Sequence, residues 1–402
     1  MSLLPVADAL QRILTAAPTP TDAETVPLED ALHRTLAGDL TALRSQPPFD
    51  ASAMDGYAVR AADLDPAPAT LRVIGESAAG HRFSGSVGAG EAVRIFTGAP
   101  LPDGADTILI QENADRDGVH VIARQSEPRG RFVREAGYDF RHGDALLKAG
   151  LRLGPRHLAL AAAMNHPELA VRRRPRVALL ATGDELAWPG DALGPDQIVT
   201  SNNFAIAGIA TEAGAAPIDL GIAGDTPAAL EQGLARARAA QADIFVTLGG
   251  ASVGDHDLVQ RVLQPQGLAL DFWKIAMRPG KPLMFGRLDR LLFLGLPGNP
   301  VSAIVCAHLF LRPLIRKLLG DPRAGEEAPE TARLGRDLPE NDERQDYLRA
   351  TLASEGDALI ATPFSRQDSG MVATLARADA LVVREPHAPP ARAGDACRII
   401  RL

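Results

Sequence analysis

The chain has 402 residues, of which 46% are hydrophobic and 23% are charged, and its formal net charge is −8. This length exceeds one ordinary hydrophobic core, so we expect two to four domains. The negative charge argues against general nucleic-acid binding, and an anionic ligand would need a local cluster of cations.

The number of cysteines and the hydropathy of the chain indicate the cellular compartment in which the protein works. The two cysteines, Cys306 and Cys397, are too few for a disulfide framework or a thiolate metal site. The amino terminus has no basic segment followed by an apolar leader, and no apolar run reaches the ~18 residues of a membrane span. We therefore expect a cytoplasmic protein with no membrane contact and no nucleic-acid partner.

The first half of the chain predicts a short helix followed by strands. Apolar positions at helical spacing predict an amphipathic helix over residues 5–16, which Pro18 and Pro20 end. The prolines at 47 and 48 indicate a boundary. Short β-like runs with turns between residues 71 and 112 predict a compact β-rich insert.

The second half alternates strands and helices, which predicts a parallel sheet with right-handed crossovers. The predicted strands are 177–181, 217–222, 244–248 and 293–296, and the predicted helices are 202–213, 228–240 and 301–319. Beyond residue 331 only short strands return, at 346–353, 358–362 and 397–402. This tail predicts a small β domain.

The run from Ile244 to Leu248 is typical of a central parallel strand that is covered on both faces. Ligands bind beyond the carboxyl ends of such strands, and a glycine-rich loop follows this one. Its candidate ligand-binding residues are Gly249, Gly250 and Ser252. The alternative is a glycine turn with solvated aspartates.

Acidic residues follow three of these strands. Glu185, Asp225 and Asp257 lie in loops that share one edge of a parallel sheet, where carboxylates would repel one another without a cation. Oxygen ligands beside phosphate favour Mg²⁺, so these three residues are the predicted metal ligands. For Asp225 a second role is equally well supported, as the cap of the helix that begins near Pro227.

A cationic segment and a helix start suggest an anion site. Lys274, Arg278 and Lys281 surround a Pro-Gly turn, which predicts an oxyanion cradle, although a solvated basic turn is the alternative. The segment 297–302 predicts a helix amino terminus, where free N–H groups favour an anion.

Six motifs stand in one order along the whole chain. They are Met54-Asp55-Gly56-Tyr57-Ala58, Thr97-Gly98-Ala99-Pro100, Thr182-Gly183-Asp184-Glu185-Leu186, Gly249-Gly250-Ala251-Ser252-Val253-Gly254, Pro279-Gly280-Lys281-Pro282 and Leu296-Pro297-Gly298-Asn299-Pro300. In this order they resemble the MoeA family of molybdopterin molybdenumtransferases, which includes the gephyrin E domain.

The resemblance implies a multidomain α/β plus β homodimer. It has a central three-layer α/β domain with a mostly parallel sheet (residues 1–26 and 174–322) and a linking domain (27–45 and 140–173). A β-rich inserted domain (46–139) and a C-terminal small β domain (323–402) complete it. The implied reaction is Mg²⁺-dependent insertion of molybdate into adenylylated molybdopterin, with release of AMP.

The resemblance also assigns roles to individual residues. Residues tied to activity are Asp55, Thr97, Asp139, Glu185, Asp225, Asp257 and Lys274. The molybdate pocket would comprise Arg278, Lys281, Pro282, Ser302, Arg349 and Ser369, and Pro297 and Pro300 join the ligand-binding set. Arg344 lies close enough in sequence to compete with Arg349 for its assignment.

The sequence departs from the family pattern at a few positions, among them the small local variants Ala53 and Ala251. Arg278 stands where Lys is frequent, and Tyr138 replaces an acidic residue before Asp139. The alternative functions are a molybdopterin adenylyltransferase, which the additional β segments disfavour, and a dimeric scaffold of the gephyrin E type. Candidate protein partners are the molybdopterin adenylyltransferase and the recipient molybdoenzymes.

Overall fold

The structure, a computed structural model, describes residues 3–17, 20–249, 258–326 and 330–402. The chain forms two compact units. Unit 1 comprises Met1–Glu24, His33–Ala37 and Ala170–Leu402, and unit 2 comprises Thr25–Leu32 and Gly38–Leu169. None of the helices in the described ranges is long and apolar enough to cross a membrane.

The helices, in chain order, are α1 (Val6–Ala16), α2 (Pro155–Ala163), α3 (Asn202–Glu212), α4 (Pro227–Ala239), α5 (Leu258–Leu263), α6 (Pro300–Cys306), α7 (Arg312–Leu318) and α8 (Val372–Leu375). A π-helical segment, Ala307–Leu311, joins α6 to α7. The predicted helix over 301–319 is therefore confirmed, with one wider turn at its centre.

The strands of the first half are β1 (Ala23–Pro27), β2 (Leu40–Thr41), β3 (Ala51–Ser52), β4 (Gly56–Val59), β5 (Ala69–Ser77), β6 (Glu91–Ile95), β7 (Thr107–Ile110), β8 (Ala114–Asp117), β9 (His120–Ala123), β10 (Val133–Arg134), β11 (Ala145–Leu147) and β12 (Glu168–Arg172). The others are β13 (Arg176–Thr182), β14 (Leu186–Ala187), β15 (Ile198–Val199), β16 (Ala216–Ala223), β17 (Ile244–Leu248), β18 (Leu268–Phe272), β19 (Met277–Arg278), β20 (Met284–Leu288), β21 (Leu291–Leu296), β22 (Glu330–Leu334), β23 (Gln345–Glu355), β24 (Ala358–Pro363), β25 (Ala380–Arg384) and β26 (Ala396–Arg401).

Unit 2 is built on a six-stranded sheet in the order β7-β4-β6-β5-β9-β8. Apolar residues on its two faces form two separate clusters, as alternation along a strand requires. The first residue of β4, Gly56, must be a glycine because a Cβ there would lie 2.1 Å from the carbonyl oxygen of Leu109 on β7. The predicted β-rich insert is confirmed.

Unit 1 contains a six-stranded sheet in the order β16-β13-β17-β21-β20-β18. The first four strands pair in parallel, and β20 and β18 add antiparallel pairs. The sequence analysis did not predict the added strands β18 and β20. Their short, partly polar runs do not show the continuous apolar pattern of the central strands.

Alternate residues of the central strands pack on opposite faces of this sheet. Ile244 and Val246 join the cluster that includes α1, α3, α6 and α7, whereas Phe245 joins the cluster of α4 and α5. All five residues of β17 are buried. The sheet therefore lies between two layers of helices, as predicted.

The C-terminal strands of unit 1 form a closed barrel. Strands β23-β24-β22-β26-β25 follow one another, and β25 pairs back onto β23. Strand β19 adds to β23 in parallel, so that Arg278 lies opposite Asp346. This confirms the predicted small C-terminal β domain.

Candidate functional site

The four parallel strands of unit 1 end at one edge of the sheet, and a cleft of about 690 Å³ lies there. Six of the predicted site residues line it, namely Glu185, Asp225, Gly249, Pro282, Pro297 and Pro300. Glu185, Asp225, Gly249 and Pro297 follow the four parallel strands. Pro282 precedes β20, and Pro300 begins α6. The chain order alone placed these loops together, because the ends of parallel strands share an edge.

Gly249 shows why a glycine follows β17. Its φ is +102°, and a Cβ would lie 2.7 Å from the carbonyl oxygen of Thr182. A larger residue would push apart the ends of β13 and β17. The predicted ligand-binding residues Gly250 and Ser252, and the predicted metal ligand Asp257, lie outside the described residues.

The alternative role of Asp225 as a helix cap is wrong. Thr226 is the cap of α4, and its Oγ1 accepts a hydrogen bond from the N–H of Ala229 at 3.2 Å. The backbone N–H of Asp225 donates to Oδ1 of Asp184 at 3.0 Å, which fixes the loop. The carboxylate of Asp225 is exposed and lines the cleft.

Glu185 and Asp225 suit a divalent cation, since both are exposed carboxylates on one cleft. Neither forms an ion pair with another of the described residues. Within the described ranges no three acidic, histidine or cysteine side chains converge on one point. The Mg²⁺ site therefore stays a prediction that depends on Asp257.

A second group of predicted residues surrounds the loop at Asp368 and Ser369. Arg349 donates from Nη1 to the carbonyl oxygen of Asp368 at 2.7 Å, and the N–H of Val301 donates to the carbonyl oxygen of Ser369 at 3.1 Å. Ser302 follows Val301 in α6 and is 5% exposed. The structure thus brings Ser302, Arg349 and Ser369 into one neighbourhood.

The guanidinium of Arg349 is buried, with 1% of the residue exposed. Burial lowers its pKa, and the carboxylate of Asp368 opposes that change. Its hydrogen bonds go to Gln367 and to a carbonyl, and it forms no salt bridge with a described carboxylate. A buried cation without a carboxylate partner is typical of an anion site.

Arg278 and Arg344 differ from Arg349 because carboxylates already neutralise them. Arg278 pairs with Asp342 at 3.1 Å and also with Asp346, while Arg344 pairs with Asp342 at 2.7 Å. The hydrogen bond from Arg344 lowers the pKa of Asp342 to about 2. These contacts favour Arg349 over Arg344 as the anion ligand.

Neither of the two lysines of the cationic segment forms an ion pair within that network. The ammonium of Lys274 lies 4.4 Å from the ring centroid of Trp273, a cation–π contact. Lys281 is exposed, and its backbone carbonyl accepts hydrogen bonds from Ile275 and Leu283. The predicted cradle stays a prediction, in which Arg278 is already paired with carboxylates.

Unit 2 brings together two of its three predicted residues. Oδ1 of Asp55 accepts hydrogen bonds from the backbone N–H of Thr97 at 2.7 Å and from its hydroxyl at 2.8 Å. These bonds lower the pKa of the Asp55 carboxyl. Asp139 is exposed, and its N–H donates to the carbonyl oxygen of Gln46 at 2.9 Å.

Three family models match consecutive parts of the chain. The MoeA N-terminal region (domain I and II) matches residues 4–165, a probable molybdopterin binding domain matches 178–317, and the MoeA C-terminal region (domain IV) matches 331–402. The molybdopterin molybdenumtransferase of Haemophilus influenzae is 39% identical over 79% of this chain and 78% of its own length. That of Nostoc sp. is 37% identical over 90% of this chain and 85% of its own length.

The chain belongs to the molybdopterin molybdenumtransferase family. A solved structure of the molybdopterin biosynthesis MoeA protein from Pyrococcus horikoshii OT3 superposes with a TM-score of 0.86 at 26% identity, over 100% of both chains. The resemblance, the fold class and the expectation of an enzyme are confirmed. A role in molybdenum cofactor biosynthesis is confirmed at the level of the family.

Two residues that line the cleft were absent from the predicted set. Oγ1 of Thr182 and Oδ1 of Asn202 are buried without a hydrogen-bond partner. Nδ2 of Asn202 donates to the carbonyl oxygen of Gly298 at 2.8 Å, which orients the amide. Thr182 stands in one of the quoted motifs, so its position at the carboxyl end of β13 is a usable signal. Asn202 is the first residue of the predicted helix 202–213, and its sequence context gives no signal for a role in the cleft.

Proposed function

We propose that this enzyme inserts molybdate into adenylylated molybdopterin and releases AMP, with Mg²⁺ as its cofactor. The observation that carries the proposal is Arg349, a buried guanidinium that forms no salt bridge with a carboxylate among the described residues. Molybdate is a dianion, and an acidic protein can hold it only where fixed cations and donors outweigh the net charge. The donors proposed beside Arg349 are Ser302 and Ser369.

The cleft at the sheet edge would hold the adenylylated pterin. Glu185 and Asp225 line it, and their exposed oxygens would hold Mg²⁺ together with Asp257. When bound, Mg²⁺ would supply charge neutralisation to the phosphates of the substrate. The residues of the chain would orient the pyrophosphate, so that phosphorus is open to attack by an oxygen of molybdate or of water while AMP leaves.

A second copy of the chain would complete this site. Ile198, Val199 and Phe204 are exposed, at 57%, 44% and 58%, and Phe204 packs edge-to-face on Trp188. Ile198 and Val199 also line the cleft. An exposed apolar patch on the rim of a polar cleft favours a partner surface, and we propose that it is the homodimer interface. We also place the enzyme in the cytoplasm.

The reaction can be tested directly. The protein is incubated with adenylylated molybdopterin, molybdate and Mg²⁺, and AMP and active cofactor are measured, the latter by reconstitution of an apo-molybdoenzyme. A parallel incubation with ATP and molybdopterin tests the adenylyltransferase alternative. AMP and cofactor in the first incubation alone support the proposal, whereas adenylylated product in the second alone would reject it.

A further inference from the structure

Arg94 of unit 2 lies between two aromatic rings. Its guanidinium carbon is 5.2 Å from the ring centroid of Tyr57 and 4.8 Å from that of Phe96. Tyr57 on β4 is its direct cross-strand neighbour on β6. Stacking on both rings fixes the plane of the guanidinium, which a flexible side chain would not keep unaided.

Hydrogen bonds fix the two ends of the guanidinium as well. Nη1 donates to the carbonyl oxygen of Gly56 at 3.1 Å, and Nη2 donates to Oε1 of Gln111 at 2.9 Å. No described carboxylate lies within salt-bridge distance of Arg94. Its charge therefore acts on its surroundings without being neutralised by a partner.

Each of these contacts reaches a neighbour of the Asp55 and Thr97 pair. Gly56 follows Asp55, and Phe96 precedes Thr97. Gln111 donates its backbone N–H to the carbonyl oxygen of Asp55 at 3.0 Å. Arg94 thus braces the chain at Gly56, directly after Asp55, and at Phe96, directly before Thr97.

Arg94 also influences Asp55 electrostatically. The two hydrogen bonds from Thr97 are the largest causes of the lowered pKa of the Asp55 carboxyl, burial opposes them, and the field of Arg94 lowers the pKa by a smaller amount. Arg94 is the charged side chain that acts on Asp55 in this way. Both bonds from Thr97 end on Oδ1, and within the described ranges no donor reaches Oδ2. That oxygen keeps its lone pairs for a ligand.

We propose that Arg94 is a positioning residue, which holds Asp55 against Thr97 and leaves the free oxygen of the carboxylate open to the substrate. This inference rests on the proposed function, because it takes Asp55 as a residue of the reaction. Arg94 itself is not assigned to substrate. It acts through Asp55.

The test compares Arg94→Gln and Arg94→Lys with the control Arg72→Gln. Arg72 lies on β5 of the same sheet and pairs with Glu91 at 2.6 Å, so its loss removes an arginine without a contact to Asp55. Asp55 is titrated by carboxyl NMR in the full-length chain, with Asp55→Asn to assign the signal. Turnover and thermal unfolding are measured on the same variants.

In Arg94→Gln, Asp55 should titrate at a higher pH than in the wild type, and kcat should fall about tenfold while KM for molybdate stays within twofold. Arg94→Lys should restore the titration, since it keeps the charge, but only part of kcat, since an ammonium cannot bridge Gly56 and Gln111. Arg72→Gln should change neither quantity.

An unchanged Asp55 titration in Arg94→Gln, together with kcat within twofold of the wild type, would overturn the inference. If Arg94→Gln unfolds, Arg94→Lys decides: full kcat would then assign Arg94 a charge role alone and reject the bracing. The titration needs no turnover. A wild type that releases no AMP would therefore reject the proposed function while leaving the NMR test of Arg94 intact.

Discussion

Gln367 binds Arg349 at three points. Its Oε1 accepts hydrogen bonds from the backbone N–H and from Nε–H of Arg349, both at 3.0 Å, and its Nε2 donates to the Arg349 carbonyl oxygen at 3.0 Å. The partner is a neutral amide, so the guanidinium is held in place without losing its charge. An arginine fixed in this way is held in position to bind an anion.

Arg349→Ala should weaken molybdate binding about ten- to a hundredfold, because a buried charge-assisted hydrogen bond contributes roughly 1.5–3 kcal/mol. Adenylylated pterin should still bind. Equilibrium binding of labelled molybdate measures this, with tungstate as a competitor of similar shape and charge. Rising ionic strength should weaken molybdate binding to the wild type.

Arg344→Ala is the matched control for that experiment, since Arg344 is already paired with Asp342. Its molybdate affinity should stay within about threefold of the wild type, which corresponds to less than ~0.7 kcal/mol. Equal affinities of Arg349→Ala and the wild type would show that the assignment of Arg349 is wrong. A large loss in Arg344→Ala alone would move the site to that residue.

Substitutions of two neighbouring residues at the start of α4 should have different effects, one on stability and the other on activity. Thr226→Ala removes the observed cap and should lower the free energy of unfolding by about 1 kcal/mol, with little effect on kcat. Asp225→Asn should leave unfolding unchanged and lower kcat. Denaturant titration and turnover of both variants check this, and the reverse pattern would return Asp225 to a structural role.

Glu185→Gln and Asp257→Asn should raise the Mg²⁺ concentration needed for AMP release, because a neutral amide keeps the shape of the side chain but coordinates the cation weakly. Pterin binding, measured separately, should change far less. Asp191→Asn, a change at an exposed carboxylate whose Oδ2 accepts the Trp188 N–H, serves as the control. An unaltered Mg²⁺ dependence would remove Glu185 and Asp257 from the metal site.

Phe204→Glu should convert the proposed dimer to a monomer, since it places a charge in the exposed apolar patch. Sedimentation should report about twice the chain mass for the wild type and the single-chain mass for the variant. Val119→Glu replaces an apolar residue of unit 2 that is 62% exposed and should stay dimeric. A wild type that is a fully active monomer would contradict a site completed by a second copy.

The sequence by itself determined the four parallel strands of the central domain and the helices α3, α4 and α6 to α7, because their apolar patterns are continuous and glycine or proline marks their ends. Strand β17 was predicted to the residue, and the carboxyl ends of the parallel strands gave the place of the cleft. The motif order determined the family. Local pattern carries this information because the side chains that bury a strand or cap a helix lie within a few residues.

Only the tertiary structure decided which of the charged residues form ion pairs. Arg278, Arg344 and Arg349 look alike in sequence, but β19 pairs with β23 and places Arg278 opposite Asp346. The same fold leaves Arg349 with amide and carbonyl partners. Long-range pairing decides whether a charge is neutralised, and the spacing of residues along the chain does not contain that pairing.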